Sequence, residues 1–301
     1  MNICIISENS YPVSTGGVSE WCEYLVKGMS DHEFQILTIA TSKQLKYKIP
    51  GNVKVKIVEM NQPSFLMNFV EKTNIKNIMK ILEPAHKGNP LDCKKIYITL
   101  KDEKVSAKDL ISSKENHQAL LEYYNEHYSD KPFAPFFYSW TSLYYLLYRT
   151  LELVTEIPNA DVYHALNSGY AGILGSIGKV STGTPLLINE HGLYLKERLF
   201  ELEHSEVPRW LHSFYEVFFN SLVKTSYRYS DEVVSVCRDH VEHQREIYSK
   251  IQPKVVYNGV DMDRFEYDYK EGTEKLTVGT VSRITPIKDQ LTLIRLSLIH
   301  I

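Results

Sequence analysis

The chain has 301 residues, with 34 Lys+Arg against 37 Asp+Glu and a formal net charge of -3. That length allows one large or two ordinary domains with proper cores, and basic residues scattered rather than massed exclude a long phosphate-backbone track for nucleic acid. Cys4, Cys22, Cys93 and Cys237 stand far apart without metal-ligand spacing, so buried free thiols and no metal are expected.

Neither a charged and apolar leader nor an apolar run of about 18 residues is present, so the expectation is a cytoplasmic protein without a transmembrane segment. Residues 2–7 are apolar, and Val18, Trp21, Cys22, Leu25, Val26 and Met29 then recur at helical spacing, which reads as strand, loop and helix. The loop carries Pro12 and the pair Gly16-Gly17, so its end can approach a ligand without side-chain interference. Phe34 to Ile39 and Val53 to Val58 supply further strands.

From about residue 61 to 157 the rhythm changes to a mainly helical insert in which only Lys95 to Leu100 reads as a strand. Trp140, Leu143, Tyr144, Leu147, Leu151 and Val154 lay a broad apolar stripe on one helix. Phe133, Phe136, Phe137, Tyr138 and Tyr145 enrich the same segment in rings; core packing is the expected use, a platform for apolar sugar faces the alternative.

After Pro158 the alternation returns: strand Val162 to Ala165, helix Gly169 to Lys179, strand Pro185 to Asn189, a long helix Pro208 to Tyr229, strand Val233 to Val236, a polar helix to Tyr248, and strand Lys254 to Tyr257. Strands separated by helices specify a parallel sheet covered on both faces, the α/β class. Asn258-Gly259 is a turn signal. The expected domains are 1–258, a linker over 259–275, and 276–301 as the truncated start of a second domain with a strand over Leu276 to Val281 and a helix from Gln290.

Candidate chemistry falls at the carboxyl ends of these strands, where ligands gather in open parallel sheets. Gly16 and Gly17 offer backbone amides at a helix start, though no GxGxxG is present. His164, Asn167 and Ser168 follow one strand, and Ser168 reads equally as a ligand contact or a helix N-cap. Glu190 and His191 follow the next, with the imidazole able to meet a sugar hydroxyl or a developing charge. Arg283 and Lys288, five residues apart around Pro286, suit an anionic leaving group, with two solvated surface charges as the alternative. Tyr194 to Glu203 reads as a solvated helix or lid, with Arg198 a weak candidate for holding an acceptor.

Taken together, Tyr11-Pro12, Gly16-Gly17-Val18-Ser19, Trp21-Cys22, the run His164 to Gly172, Glu190-His191-Gly192, Asn258 to Asp261 with Phe265, and Gly279 with Val281 to Asp289 resemble the retaining GT-B glycosyltransferases of family GT4. Within them the likeness is to the PelF-type exopolysaccharide enzymes. The resemblance implies a Rossmann-like GT-B domain with only the start of the second Rossmann-like domain present. It also implies hexosyl transfer from a UDP-sugar, UDP-glucose for PelF-like enzymes, to a saccharide acceptor, without a metal or other cofactor. Arg283 and Lys288 match the diphosphate-binding pair, Gly17 the glycine loop, and His191 the active-site histidine. A peripheral place at the inner membrane beside a polysaccharide synthase or export complex fits such a role, and the fragment alone is expected to be nearly inactive. The competing reading is a noncatalytic assembly or polysaccharide-binding module of an export system. A nicotinamide oxidoreductase shares the topology but lacks its glycine fingerprint here.

Overall fold

A seven-stranded parallel sheet of order β3-β2-β1-β4-β5-β6-β7 organises the protein. The computed structural model describes residues 1–60, 75–102, 105–264 and 278–300. The chain divides into two units, Met1–Asn258 and Gly259–Ile301.

The first unit opens with β1 (Asn2–Glu8), α1 (Gly17–Gly28), β2 (Glu33–Ala40) and β3 (Val53–Glu59). Strand β1 pairs with β2 on one side and, through Ile5↔His164, with β4 (Val162–Ala165) on the other. Its side chains alternate between two cores, Ile3 and Ile5 meeting Cys22 and Val26 of α1, Cys4 and Ile6 joining the larger cluster on the opposite face. Burial on both faces explains why the strand reads as an unbroken apolar run.

The insert is helical over its described residues: α2 (Ile75–Leu82), a 3-10 turn at Glu83–Lys87, α3 (Cys93–Leu100), α4 (Ala107–Ile111), α5 (Lys114–His127) and α6 (Phe133–Leu151). The expected strand at Lys95 to Leu100 is therefore corrected to helix α3. The Asp92 side chain accepts the Lys95 N–H as an N-cap, and Cys93, Ile96 and Leu100 bury one helical face, so capping and tertiary contact override the β-branched local preference. The aromatic stripe is core: Phe136, Trp140, Tyr144 and Tyr148 are fully buried, with Trp140 stacked on Tyr144 at 4.2 Å.

The alternation then completes with α7 (Tyr170–Thr182), β5 (Leu186–Glu190), α8 (Tyr194–Glu203), α9 (His212–Tyr229), β6 (Glu232–Ser235), α10 (Arg238–Ile247) and β7 (Lys254–Val255). Cys4, Cys22 and Cys93 are buried free thiols, while Cys237 is only half-buried. Burial alone pushes the Cys4 thiol up to about 12.

In the second unit, Val278 to Val281 carries no strand, contrary to expectation. No described strand of that unit pairs with it, and an unpaired strand has nowhere to place its ladder hydrogen bonds. Its helix forms as α11 (Gln290–His300). Most of the expected linker, and Phe265 within it, lie outside the described residues.

Candidate functional site at the carboxyl edge of the sheet

Chain order reverses direction across the sheet between β1 and β4, which leaves a crevice at their carboxyl ends. The loop after β1 descends through the cis Tyr11-Pro12 peptide to Gly16, whose φ of 152° lies where L side chains are strained. Gly16 caps α1, its carbonyl accepting the Glu20 N–H, and Gly17 has no heavy atom within 4 Å of where a Cβ would stand. Gly17 thus sits open at the helix start, whereas Gly16 is half-buried and its backbone meets the Tyr47 hydroxyl.

One turn into α1, the Trp21 ring lies edge-on to two imidazoles, 4.5 Å from His191 and 5.7 Å from His164. Burial lowers both histidines to about 4, and the proximity of His191 further opposes protonation of His164. Both rings are accordingly neutral near pH 7. The Nε2 atoms of both, with Asn189 Oδ1 on β5 and Ser235 Oγ on β6, are buried without hydrogen-bond partners among the described residues. Buried polar atoms normally find partners, and these four share one sheet edge. Asn258 Nδ2 approaches His191 Nδ1 at 3.5 Å, the long limit of a hydrogen bond.

Glu190 behaves differently from an exposed substrate ligand. It is 1% exposed and accepts hydrogen bonds from Ser168 Oγ, from Tyr227 OH at 2.7 Å and from Gln244 Nε2 at 3.0 Å. One carboxylate therefore ties β5 to α9, α10 and the turn before α7. Ser168 spends its hydroxyl on Glu190 and does not cap α7; Asn167 Oδ1 accepts the Gly169 N–H at 2.9 Å instead.

Two members of the edge are not among the site candidates the sequence supplies, although Trp21 falls in one of the motifs that carry the GT4 likeness. Trp21 reads there as one position of an apolar helical stripe. Glu8 ends β1, and its Oε1 accepts the Ala171 N–H at 2.8 Å, so a carboxylate from the neighbouring strand occupies the positive end of α7. Burial raises the Glu8 carboxyl against the opposing pull of that hydrogen bond and of Arg198. An acidic residue terminating an apolar strand was the available signal. Helix α8 is more than a solvated lid, because Tyr194 is buried and its ring stands where a Cβ on Gly169 would go. Arg198 lies over the Tyr194 ring at 5.5 Å and donates to Glu201 at 2.8 Å.

Arg283 and Lys288 belong to the second unit, both exposed, with Lys288 closing a 3-10 turn that begins at Pro286. The Arg283 carbonyl accepts from Gln290 at 2.5 Å, which fixes the loop backbone and leaves the guanidinium unengaged by it. Among the described residues no group of three or more His, Cys, Asp and Glu is placed to hold a metal ion, and no helix is long and apolar enough to cross a membrane.

A parallel sheet with this strand order and crevice defines a Rossmann-like α/β domain, consistent with the nucleotide-sugar-utilising glycosyltransferases of the GT-B type. The chain belongs to the family described as Domain of unknown function (DUF3492), whose model matches residues 1–249. None of the curated proteins matches it.

Proposed function

We propose that this protein takes part in retaining glycosyl transfer, moving a hexose, glucose in the first instance, from a UDP-sugar to an exopolysaccharide or related acceptor. The observation that carries the reading is the set of unpartnered polar atoms on His164, Asn189, His191 and Ser235 at the switch-point edge, beside the helix start at which Gly17 is open. A polyhydroxylated ligand supplies both donors and acceptors to such atoms. Neutral imidazoles suit hydroxyl recognition better than anion binding, since they add no charge to the crevice.

In this reading Gly16 and Gly17 admit the ligand to the backbone of α1, and Asn167 and His164 meet hydroxyls. His191 faces the transferred sugar. Glu190 and Ser168 act indirectly, by holding the His191 loop and the α7 turn in register. Arg283 and Lys288 take the donor diphosphate, a fork and a point charge stabilising negative charge that grows as the glycosidic bond to phosphate breaks.

The test is UDP-glucose turnover by the protein encoded by the complete gene, with binding measured by calorimetry and NAD as the control nucleotide. Arg283→Ala and Lys288→Ala should each lower turnover by about 10²-fold or more, and His191→Ala should weaken it while leaving the fold intact by circular dichroism. Unchanged turnover and donor affinity in both basic variants, or binding of NAD in preference to UDP-glucose, would end this reading.

A further inference from the structure

A second concavity, of about 730 Å³, lies in the helical insert between α2 and α5, away from the sheet edge, and has the size of a small-ligand site. Its lining includes Met79 and Val217 as apolar surface and Tyr123 and His86 as rings. His86 stands edge-on to Tyr123 at 5.1 Å and lies 5.4 Å from Trp140. Its Nδ1 is 2.7 Å from the hydroxyl of fully buried Tyr144, for which no other partner is present among the described residues.

That contact sets the tautomer. A buried phenol donates where it has one neighbour, so Nδ1 accepts and Nε2 carries the proton. Burial lowers His86 to about 4, which keeps the ring neutral. The groove wall thus holds an uncharged N–H donor whose direction is fixed from beneath.

The charge on the walls narrows the ligand class. Four lysines and four glutamates line the concavity, so it carries no net charge, and a phosphate or polyanion finds no excess of positive potential there. Of these, Lys87 pairs with Glu83 at 2.5 Å, whereas Lys76, Lys80 and Lys114 form no ion pair among the described residues. Glu115 Oε2 is buried without a partner among them, and Gln118 donates to Glu122 at 2.8 Å. Donors and acceptors interleave around rings and apolar carbon, an arrangement that matches a pyranose, with hydroxyls at its rim and C–H groups on its face.

We infer that the groove between α2 and α5 is a binding subsite for a neutral oligosaccharide, with Tyr123 and His86 meeting a sugar ring and Lys80, Glu115 and Gln118 meeting its hydroxyls. Binding there does not require glycosyl transfer. If the protein is a transferase, the subsite holds a stretch of acceptor chain distant from the reacting end.

The experiment titrates the protein with cellohexaose, chitohexaose and isomaltohexaose, with hexagalacturonate as the anionic comparison, following Trp fluorescence and calorimetric heat. At least one neutral hexasaccharide should bind. Lys80→Ala and Gln118→Ala, both changes at the groove rim that spare the core, should weaken that binding at least tenfold, and His191→Ala should leave it unchanged. Failure of all three neutral sugars to bind, tighter binding of hexagalacturonate, or affinity lost in His191→Ala but kept in the groove variants would each overturn the inference. The last outcome would place the sugar at the sheet edge and leave the transferase reading standing, so the two fail separately.

Discussion

Replacing Glu190 by alanine removes the acceptor shared by Ser168, Tyr227 and Gln244 and strands three buried donors at once. Each buried donor left unsatisfied costs about 1–3 kcal/mol, so Glu190→Ala should lose about 3 kcal/mol or more in urea unfolding, and Glu190→Gln, which keeps one carbonyl acceptor, distinctly less. Equal losses in the two would mean that packing, not hydrogen bonding, sets the value. Trp21 acts on its neighbours by excluding water. Burial is the cause of the depressed His191 value, and the indole lies 4.5 Å from that ring, so Trp21→Ala should raise His191 from about 4 toward the ordinary 6.5 while Trp21→Phe keeps it low. An NMR titration of the imidazole C–H signals decides; a value still near 4 in Trp21→Ala would assign the desolvation to other walls.

At the scale of elements, α7 is the piece on which the site is hung. It runs against both the sheet and α9, and a Cβ on Gly172 would press into Ser226, whose Oγ donates to the Ser168 carbonyl at 2.8 Å. Gly172→Ala should therefore cost about 1–3 kcal/mol despite the better helix propensity of alanine, and pairing it with Ser226→Gly should recover part of the loss in thermal melts. No recovery would show that backbone rather than the serine blocks the methyl. The strands that bound α7 were legible because burial on both faces leaves uninterrupted apolar runs at regular intervals, as at Ile3 to Ile6 and Val162 to Ala165. Helix α3 was not, since Ile96, Tyr97, Ile98 and Thr99 look strand-like and only the Asp92 cap and burial every third or fourth residue decide otherwise. The site was legible in the same graded way. His164, Glu190 and His191 announce themselves as polar residues at strand ends, but sequence could not tell that Glu190 faces inward, nor that Trp21 turns from its helical stripe toward two imidazoles.

For the molecule as a whole, three imidazoles held low by burial make acid the direction of weakness. His86, His164 and His191 all fall from 6.5 to about 4 in the folded protein. Between those values the unfolded chain takes up protons that the folded chain refuses, so stability is complete above about pH 6.5 and declines as pH falls toward 4. Each such group contributes at most about 1.4 kcal/mol per pH unit in that window. Glu8 opposes them: its carboxyl is raised by burial, so the folded state protonates first and gains stability as pH falls toward the ordinary carboxylate range. Three groups against one leave a net loss. Urea midpoints taken from pH 7.5 to 4.5 should therefore decline most steeply below pH 6, and His164→Asn, which removes one of the three refusals, should flatten the slope by about a third to a half. A midpoint independent of pH down to 4.5 would mean that the imidazoles gain solvent in the native state, and with it would go the neutral crevice on which sugar recognition at the sheet edge depends.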